Sequence, residues 1–274
     1  MKIMIIFSLL VLILLGCQEN SGKEAPKKKV SDKVEVVDTF KEFPEEQYLE
    51  IKGDWGLVWE DEFENETIDA EKWLVADRGD NYNGELQYYR PENVLLSNNE
   101  LALKAKKEIH KGHPYTSGMI STEKKFSFKY GKVEFRMKYP SGKGMFPAVW
   151  MLPASGKTSL PEIDIFETVG SEANTMYMVN HRDENGELRS EHGKVQIEKH
   201  WEYHKYEMEW KKNELIWFVD GKEVYTINDH IPSESMYLLI NLAVGGNWAG
   251  EPNESTEFPS SLVLDYVKIY QKIN

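Results

Sequence analysis

The sequence predicts an all-β fold, a sandwich or a barrel. Three observations predict it. Short segments of alternating apolar and polar residues recur between turn signals along most of the chain. No segment carries a long apolar stripe at the helical period. Aromatic residues reach 12 %, with 8 Trp and 14 Tyr, and pleated sheets favour such side chains. With 274 residues, 41 % of them hydrophobic, the chain can bury one large core.

The first element is not part of that fold. Lys2 is followed by an apolar run from Ile3 to Leu15 and then Gly16-Cys17. A charged start and an apolar stretch too short to span a bilayer read as a secretory signal. Leu14-Leu15-Gly16-Cys17 resembles a bacterial lipobox, in which the cysteine is lipidated and becomes the new N-terminus. Residues 1–17 are therefore expected to be a lipoprotein signal. The protein would be exported and anchored to a bacterial membrane through Cys17. Cys17 is the one cysteine of the sequence, so no disulfide is expected to staple the fold. Residues 18–49 follow as a flexible tether, polar and rich in Lys, Glu and Ser up to about Asp38. The net charge of −13 repels phosphate backbones and argues against a nucleic-acid partner.

The folded domain is expected over residues 50–274, as a monomer. Leu101 to Ala105 alternates weakly. Lys132 to Tyr139 alternates over eight residues, one face wet and one in the core. Leu215 to Val219 and Lys222 to Tyr225 flank Asp220-Gly221, the signal of a tight hairpin. Tyr237 to Val244 is nearly all apolar, as in a strand covered on both faces, and Leu262 to Tyr270 closes the chain as another strand. Asn83-Gly84 and Asn185-Gly186 mark further turns. Trp210 and Trp217 sit in alternating strands and are expected in the core.

The chemistry is expected in Pro161-Glu162-Ile163-Asp164-Ile165-Phe166-Glu167-Thr168. In a strand, Glu162 and Asp164 share one face and the isoleucines the other. Like charges so close are costly unless used. Strict alternation would send Glu167 into the core. A β-bulge near Ile165-Phe166 would return it to the acid face. The Cα atoms of Glu162 and Glu167 would then stand about 13 Å apart, four strand steps. Two glutamates leaning together could bring their carboxyls to about 5 Å, the separation of a retaining glycosidase pair. The competing readings are a solvated acidic strand face and a metal cluster, the latter disfavoured because no histidine lies nearby at ligand spacing.

This strand resembles the signature of glycoside hydrolase family 16 in its bulged, laminarinase-like form. Asp61-Glu62-Phe63, Asn83 to Tyr89 followed by Arg90 to Val94, Tyr130 to Arg136, Pro147 to Pro153, Asn241 to Trp248 and Asp265 to Tyr270 resemble further family motifs in the right order. The resemblance implies a concanavalin A-like β-jelly roll of two curved antiparallel sheets with an open concave cleft. It implies retaining endo-hydrolysis of a β-linked polysaccharide, β-1,3-glucan first. Agarase, porphyranase or mixed-linkage glucanase activity is the alternative within the family, and a non-catalytic carbohydrate-binding lipoprotein the alternative outside it. By position, Glu162 would be the nucleophile, Glu167 the acid/base and Asp164 the assistant. Asn83, Arg90, Trp150, His181, Asn241 and Trp248 would contact sugar, with His181 near the acid/base. Catalysis would need no cofactor. A structural calcium is implied by the family, with Glu62 and Asp265 the nearest matches to its ligands.

The chain departs from the pattern around the subsites. Phe146 stands where a tryptophan is usual, and Pro161 replaces a glycine before the first glutamate. Ala154 to Leu160 contains no aromatic residue, and Thr168 replaces one. Arg182, in Asn180-His181-Arg182-Asp183, could meet an anionic sugar.

Overall fold

The computed structural model describes residues 50–52, 54–157 and 159–273. The signal segment, Cys17 and the whole tether lie outside the described residues. Among the described residues, two antiparallel sheets form a jelly-roll sandwich, with no closed barrel. The first sheet has nine strands. Its main order is β1 (Glu50–Lys52), β2 (Trp55–Asp61), β18 (Ser260–Lys272), β9 (Gly131–Lys138), β14 (His204–Trp210), β15 (Leu215–Val219) and β16 (Lys222–Ile227). In addition β6 (Glu100–Ala105) pairs with β18, and β5 (Val94–Ser97) with β6. The second sheet runs β13 (Glu187–Gln196), β12 (Thr175–Glu184), β11 (Glu162–Glu167), β10 (Met145–Pro153), β17 (Met236–Val244), β8 (Met119–Ser121) and β3 (Leu74–Val75). A short parallel pair, β4 (Gln87–Tyr89) and β7 (Tyr115–Ser117), stands apart from both.

Alternation explains how the sheets meet. Val133, Phe135 and Met137 of β9 are fully buried, whereas Lys132, Glu134 and Arg136 point the other way. There Lys132 and Lys205 pair with Glu207, and Lys205 also with Glu134. The apolar face packs with Val149, Met151, Ile163, Ile165, Ile240 and Leu242 of the second sheet in one core. Trp210 and Trp217 belong to it, as expected. Asp220 and Gly221 both have positive φ (51° and 77°) and turn β15 into β16, and Asn185-Gly186 (59° and 82°) turns β12 into β13 in the same way.

β17 is buried along its length because both its faces are covered. One face meets the nine-stranded sheet, and the other carries Leu239 under Tyr89 and Met119. The outer face of the second sheet matters for function. Phe146, Ala148, Trp150 and Leu152 of β10 turn to it, opposite Ala243, Asn241, Leu239 and Tyr237 of β17.

Candidate active site

β11 carries the expected bulge. Against β10, Trp150 pairs with Asp164 and Val149 with Phe166, so Ile165 is the extra residue. Against β12, the register passes from Asp164–Val179 to Glu167–Tyr177, three residues facing two. Ile163, Ile165 and Phe166 are all fully buried in the core. Two consecutive inward residues reset the parity, and Glu162, Asp164 and Glu167 share the outer face. The sequence forces this arrangement. Without the bulge, either Phe166 would leave the core or Glu167 would enter it uncompensated.

Asp164 is 2 % exposed, and Glu162 and Glu167 are half-buried on either side of it. Burial dominates their protonation. It pushes the Glu162 carboxyl up to about 9, with the neighbouring Asp164 charge and a hydrogen bond to Asp164 adding to the shift. Glu167 is raised well above the usual carboxylate range by burial and then by the charges of Asp164 and Glu162. Asp164 is also raised by burial, but His181 and the hydrogen bond from Glu162 oppose that shift. Asp164 is thereby the one of the three whose neighbours oppose the rise that burial causes.

His181 requires a correction. It lies across from Glu162, and its Nε2 stands 3.2 Å from Asp164 Oδ2. It is at the Glu162 end of the trio, and Tyr177 is the β12 residue opposite Glu167. The antiparallel register of an unbulged β12 against a bulged β11 decides this. The same pairing brings together Glu162, Asp164 and His181, whose ligand atoms lie within 4.8 Å of one another. No histidine lies near the acids in sequence at ligand spacing, so strand pairing alone makes this grouping. Ser190 Oγ, 2.6 Å from Nδ1 of His181, orients the ring. Arg182 alternates with His181 and so turns away from the acid face. It pairs with Glu184 and is not placed to meet a sugar there.

The floor of the site is continuous. Trp150 Nε1 donates to Asn241 Oδ1 at 2.8 Å, and Asn241 Nδ2 donates to the Tyr89 hydroxyl at 3.0 Å. Beyond Glu167, Trp248 packs edge-on against Tyr177 (5.0 Å) and Phe146 (5.3 Å). It remains 45 % exposed, a ring free to face a ligand. Phe146 thus works in an aromatic wall with Trp248.

Asn83 (φ 56°) is in an exposed turn whose carbonyl accepts from Asn247 N at 2.7 Å. This clasp joins the Asn83 turn to the loop that carries Trp248. Gly245 makes it possible. At φ 81° a Cβ there would meet Leu86 Cγ at 2.6 Å. Arg90 is bound to Glu92 at 2.8 Å and lies 3.6 Å from Glu108, and none of these contacts belongs to the acid face. Glu62 and Asp265 do not fit an ion. Lys268 Nζ sits 2.6 Å from Glu62, and Arg136 holds Asp265, so each carboxylate already has a cationic partner.

Tyr89, Tyr177 and Tyr237 were not singled out from the sequence. Tyr89 is part of the Asn83–Tyr89 motif, which was a usable signal. Tyr177 and Tyr237 are recognisable only from cross-strand register.

Known proteins resemble this chain over most of its length. The β-glucanase of Rhodothermus marinus is 35 % identical over 244 residues, covering 79 % of this chain and 85 % of that protein. The laminarinase catalytic domain from Thermotoga maritima MSB8 superposes with a TM-score of 0.75 at 33 % identity, over 81 % of this chain and 100 % of that one. The endo-β-1,3-glucanase from Pyrococcus furiosus gives 0.74 at 31 % identity, over 83 % and 99 %. Residues 82–260 match the family described as glycosyl hydrolases family 16. With that match over more than half its length and a bulged strand carrying three acids on its outer face, the chain belongs to glycosyl hydrolases family 16.

Proposed function

We propose that this protein is a retaining endo-hydrolase of β-1,3-glucan, exported and anchored to a bacterial membrane through a lipid on Cys17. The observation that carries the reaction is the bulge at Ile165, which puts the carboxyls of Glu162, Asp164 and Glu167 on one face. The relatives named laminarinase and endo-β-1,3-glucanase support the substrate.

Glu162 and Asp164 share a proton through their hydrogen bond. Passing it to Asp164 leaves Glu162 as a carboxylate. That carboxylate attacks the anomeric carbon and forms a glycosyl ester as the glycosidic C–O bond breaks. Glu167, kept protonated by burial and by its acidic neighbours, gives its proton to the leaving oxygen. Its carboxylate then takes a proton from water. The water oxygen bonds the anomeric carbon, and Glu162 departs with its electron pair. Trp150, Asn241, His181, Trp248, Asn83 and Arg90 are the proposed sugar contacts. Arg90 can serve only by exchanging its Glu92 and Glu108 partners for a ligand.

A screen of laminarin, lichenan, agarose, porphyran and carrageenan, with product linkage determined, tests the substrate. Hydrolysis of laminarin to β-1,3-linked oligosaccharides is expected. Cleavage of lichenan alone would reassign the protein as a mixed-linkage glucanase, and cleavage of the galactans alone would move it to the agarase side. NMR of the first product tests the mechanism. The β-anomer is expected, and an initial α-anomer would reject retention.

A further inference from the structure

Parity sets Glu162 and Asp164 on one face of β11, and the pairing of β11 with β12 sets His181 across from Glu162. Nε2 of His181 stands 3.2 Å from Oδ2 of Asp164. The two atoms are close, yet that oxygen is buried and makes no hydrogen bond. Asp164 itself is 2 % exposed, so water does not replace the missing partner. A buried carboxylate oxygen left in this way costs free energy until a cation or a proton reaches it.

Acids elsewhere on the molecule are answered by lysine. On the nine-stranded sheet Lys132 and Lys205 take up Glu207, Lys205 takes up Glu134, and Lys268 takes up Glu60 and Glu62. Asp164 has an imidazole in that place. A neutral imidazole can give a lone pair to a metal, which an ammonium group cannot. Among the described residues, Glu162, Asp164 and His181 are the one group of three or more His, Cys, Asp or Glu side chains whose ligand atoms come within 4.8 Å of one another.

The spacing suits a small tetrahedral ion. Bonds of about 2.0–2.2 Å put tetrahedral ligands about 3.3–3.6 Å apart, and the His181–Asp164 separation of 3.2 Å is already close to that edge. Glu162 is half-buried, and its carboxyl completes the set by leaning inward about 1 Å. The support behind the histidine is also present. Nδ1 of His181 lies 2.6 Å from Ser190 Oγ. Donating there leaves the lone pair on Nε2, towards Asp164, as a metal ligand requires. A nitrogen in the donor set selects zinc over calcium or magnesium, which take oxygen ligands.

We propose that Glu162, Asp164 and His181 bind a Zn²⁺ ion that reversibly inhibits the enzyme. The ion engages the Glu162 oxygen whose electron pair would otherwise attack the anomeric carbon. Glu162 and His181 are both half-buried, so the fourth position opens to the cleft, where water completes the coordination and the ion can leave. The inhibition rests on the reading of Glu162 as the nucleophile, whereas the ion site stands without it.

Isothermal titration calorimetry with Zn²⁺ tests the site, and laminarin hydrolysis with and without Zn²⁺ tests its effect. One ion per chain is expected, with affinity at least tenfold weaker in His181→Ala and in Glu162→Gln. Ser190→Ala should weaken it about tenfold, as loss of a ligand's orienting partner does. Joint replacement of His110 and His113, whose rings lie against Tyr88, by alanine should leave the affinity unchanged. Zn²⁺ should suppress hydrolysis, Ca²⁺ and Mg²⁺ at the same concentration should not, and whatever activity His181→Ala retains should resist Zn²⁺. Wild type that binds no Zn²⁺, undiminished affinity in His181→Ala or Glu162→Gln, or full activity with Zn²⁺ bound would overturn the proposal. If wild type hydrolyses no glucan, the functional reading fails, and calorimetry still decides the ion site. If His181→Ala does not fold, Ser190→Ala decides it, and unchanged affinity there would refute the site.

Discussion

Replacing Glu162 by glutamine should make the protein more stable, by an amount that grows with pH. In the unfolded chain a glutamate ionises near 4.5, whereas in the native site burial and Asp164 push the Glu162 carboxyl up to about 9. Between those values the native state holds a proton that the unfolded state has released, so stability falls as pH rises. Each pH unit costs about 1.4 kcal/mol for one such proton, or about 4 kcal/mol between pH 5 and 8. Glutamine titrates in neither state and removes that slope. Urea unfolding of wild type and Glu162→Gln at pH 5, 6, 7 and 8 measures the difference directly. The variant's advantage should be smallest at pH 5 and widen to several kcal/mol at pH 8. Parallel stability profiles across that range would refute the argument, because Glu162 would then be titrating as a solvated carboxylate in both states.

Glu167→Gln should leave the fold intact and lower kcat by about 10²–10⁴, the contribution of a general acid/base; full activity of a well-folded variant would sink the assignment. Gly245→Ala should destabilise the protein by about 2 kcal/mol, from the left-handed backbone and the collision with Leu86, with urea midpoints as the readout. Cys17→Ala should move the protein from the membrane to the soluble fraction on cell fractionation, and persistent anchoring would refute the lipid assignment. Trp248→Ala should raise KM for long glucans by removing an exposed ring next to Tyr177 while sparing the thermal midpoint, and an unchanged KM would show that the ring meets no sugar.

Much of the fold was legible because local and global demands agree. Lys132 to Lys138 can satisfy its alternation only as a half-buried strand, and Asp220-Gly221 supplies the two positive φ angles of a tight hairpin. The bulge was legible for a related reason. An acid at the wrong parity among isoleucines and a phenylalanine has one inexpensive resolution. The partners of the acids were not legible. His181 was expected beside Glu167 and stands beside Glu162 and Asp164, because cross-strand register depends on where a neighbouring strand begins. Arg182, next to it in sequence, falls on the other face for the same reason. Glu62 and Asp265 read as acids open to a cation, whereas each is paired across strands, with Lys268 and with Arg136.

The sequence by itself determined the all-β class, the identity of the three acids and the need for a bulge between the second and third. Those follow from period, parity and the cost of burying charge, all of which act along a single strand. Only the tertiary structure decided which side chains surround the acids: Trp150 and Val179 flanking Asp164, Tyr177 opposite Glu167, and a line of hydrogen bonds running from Trp150 through Asn241 to Tyr89. These contacts join residues far apart in the chain through strand register and loop packing, and no local pattern encodes them.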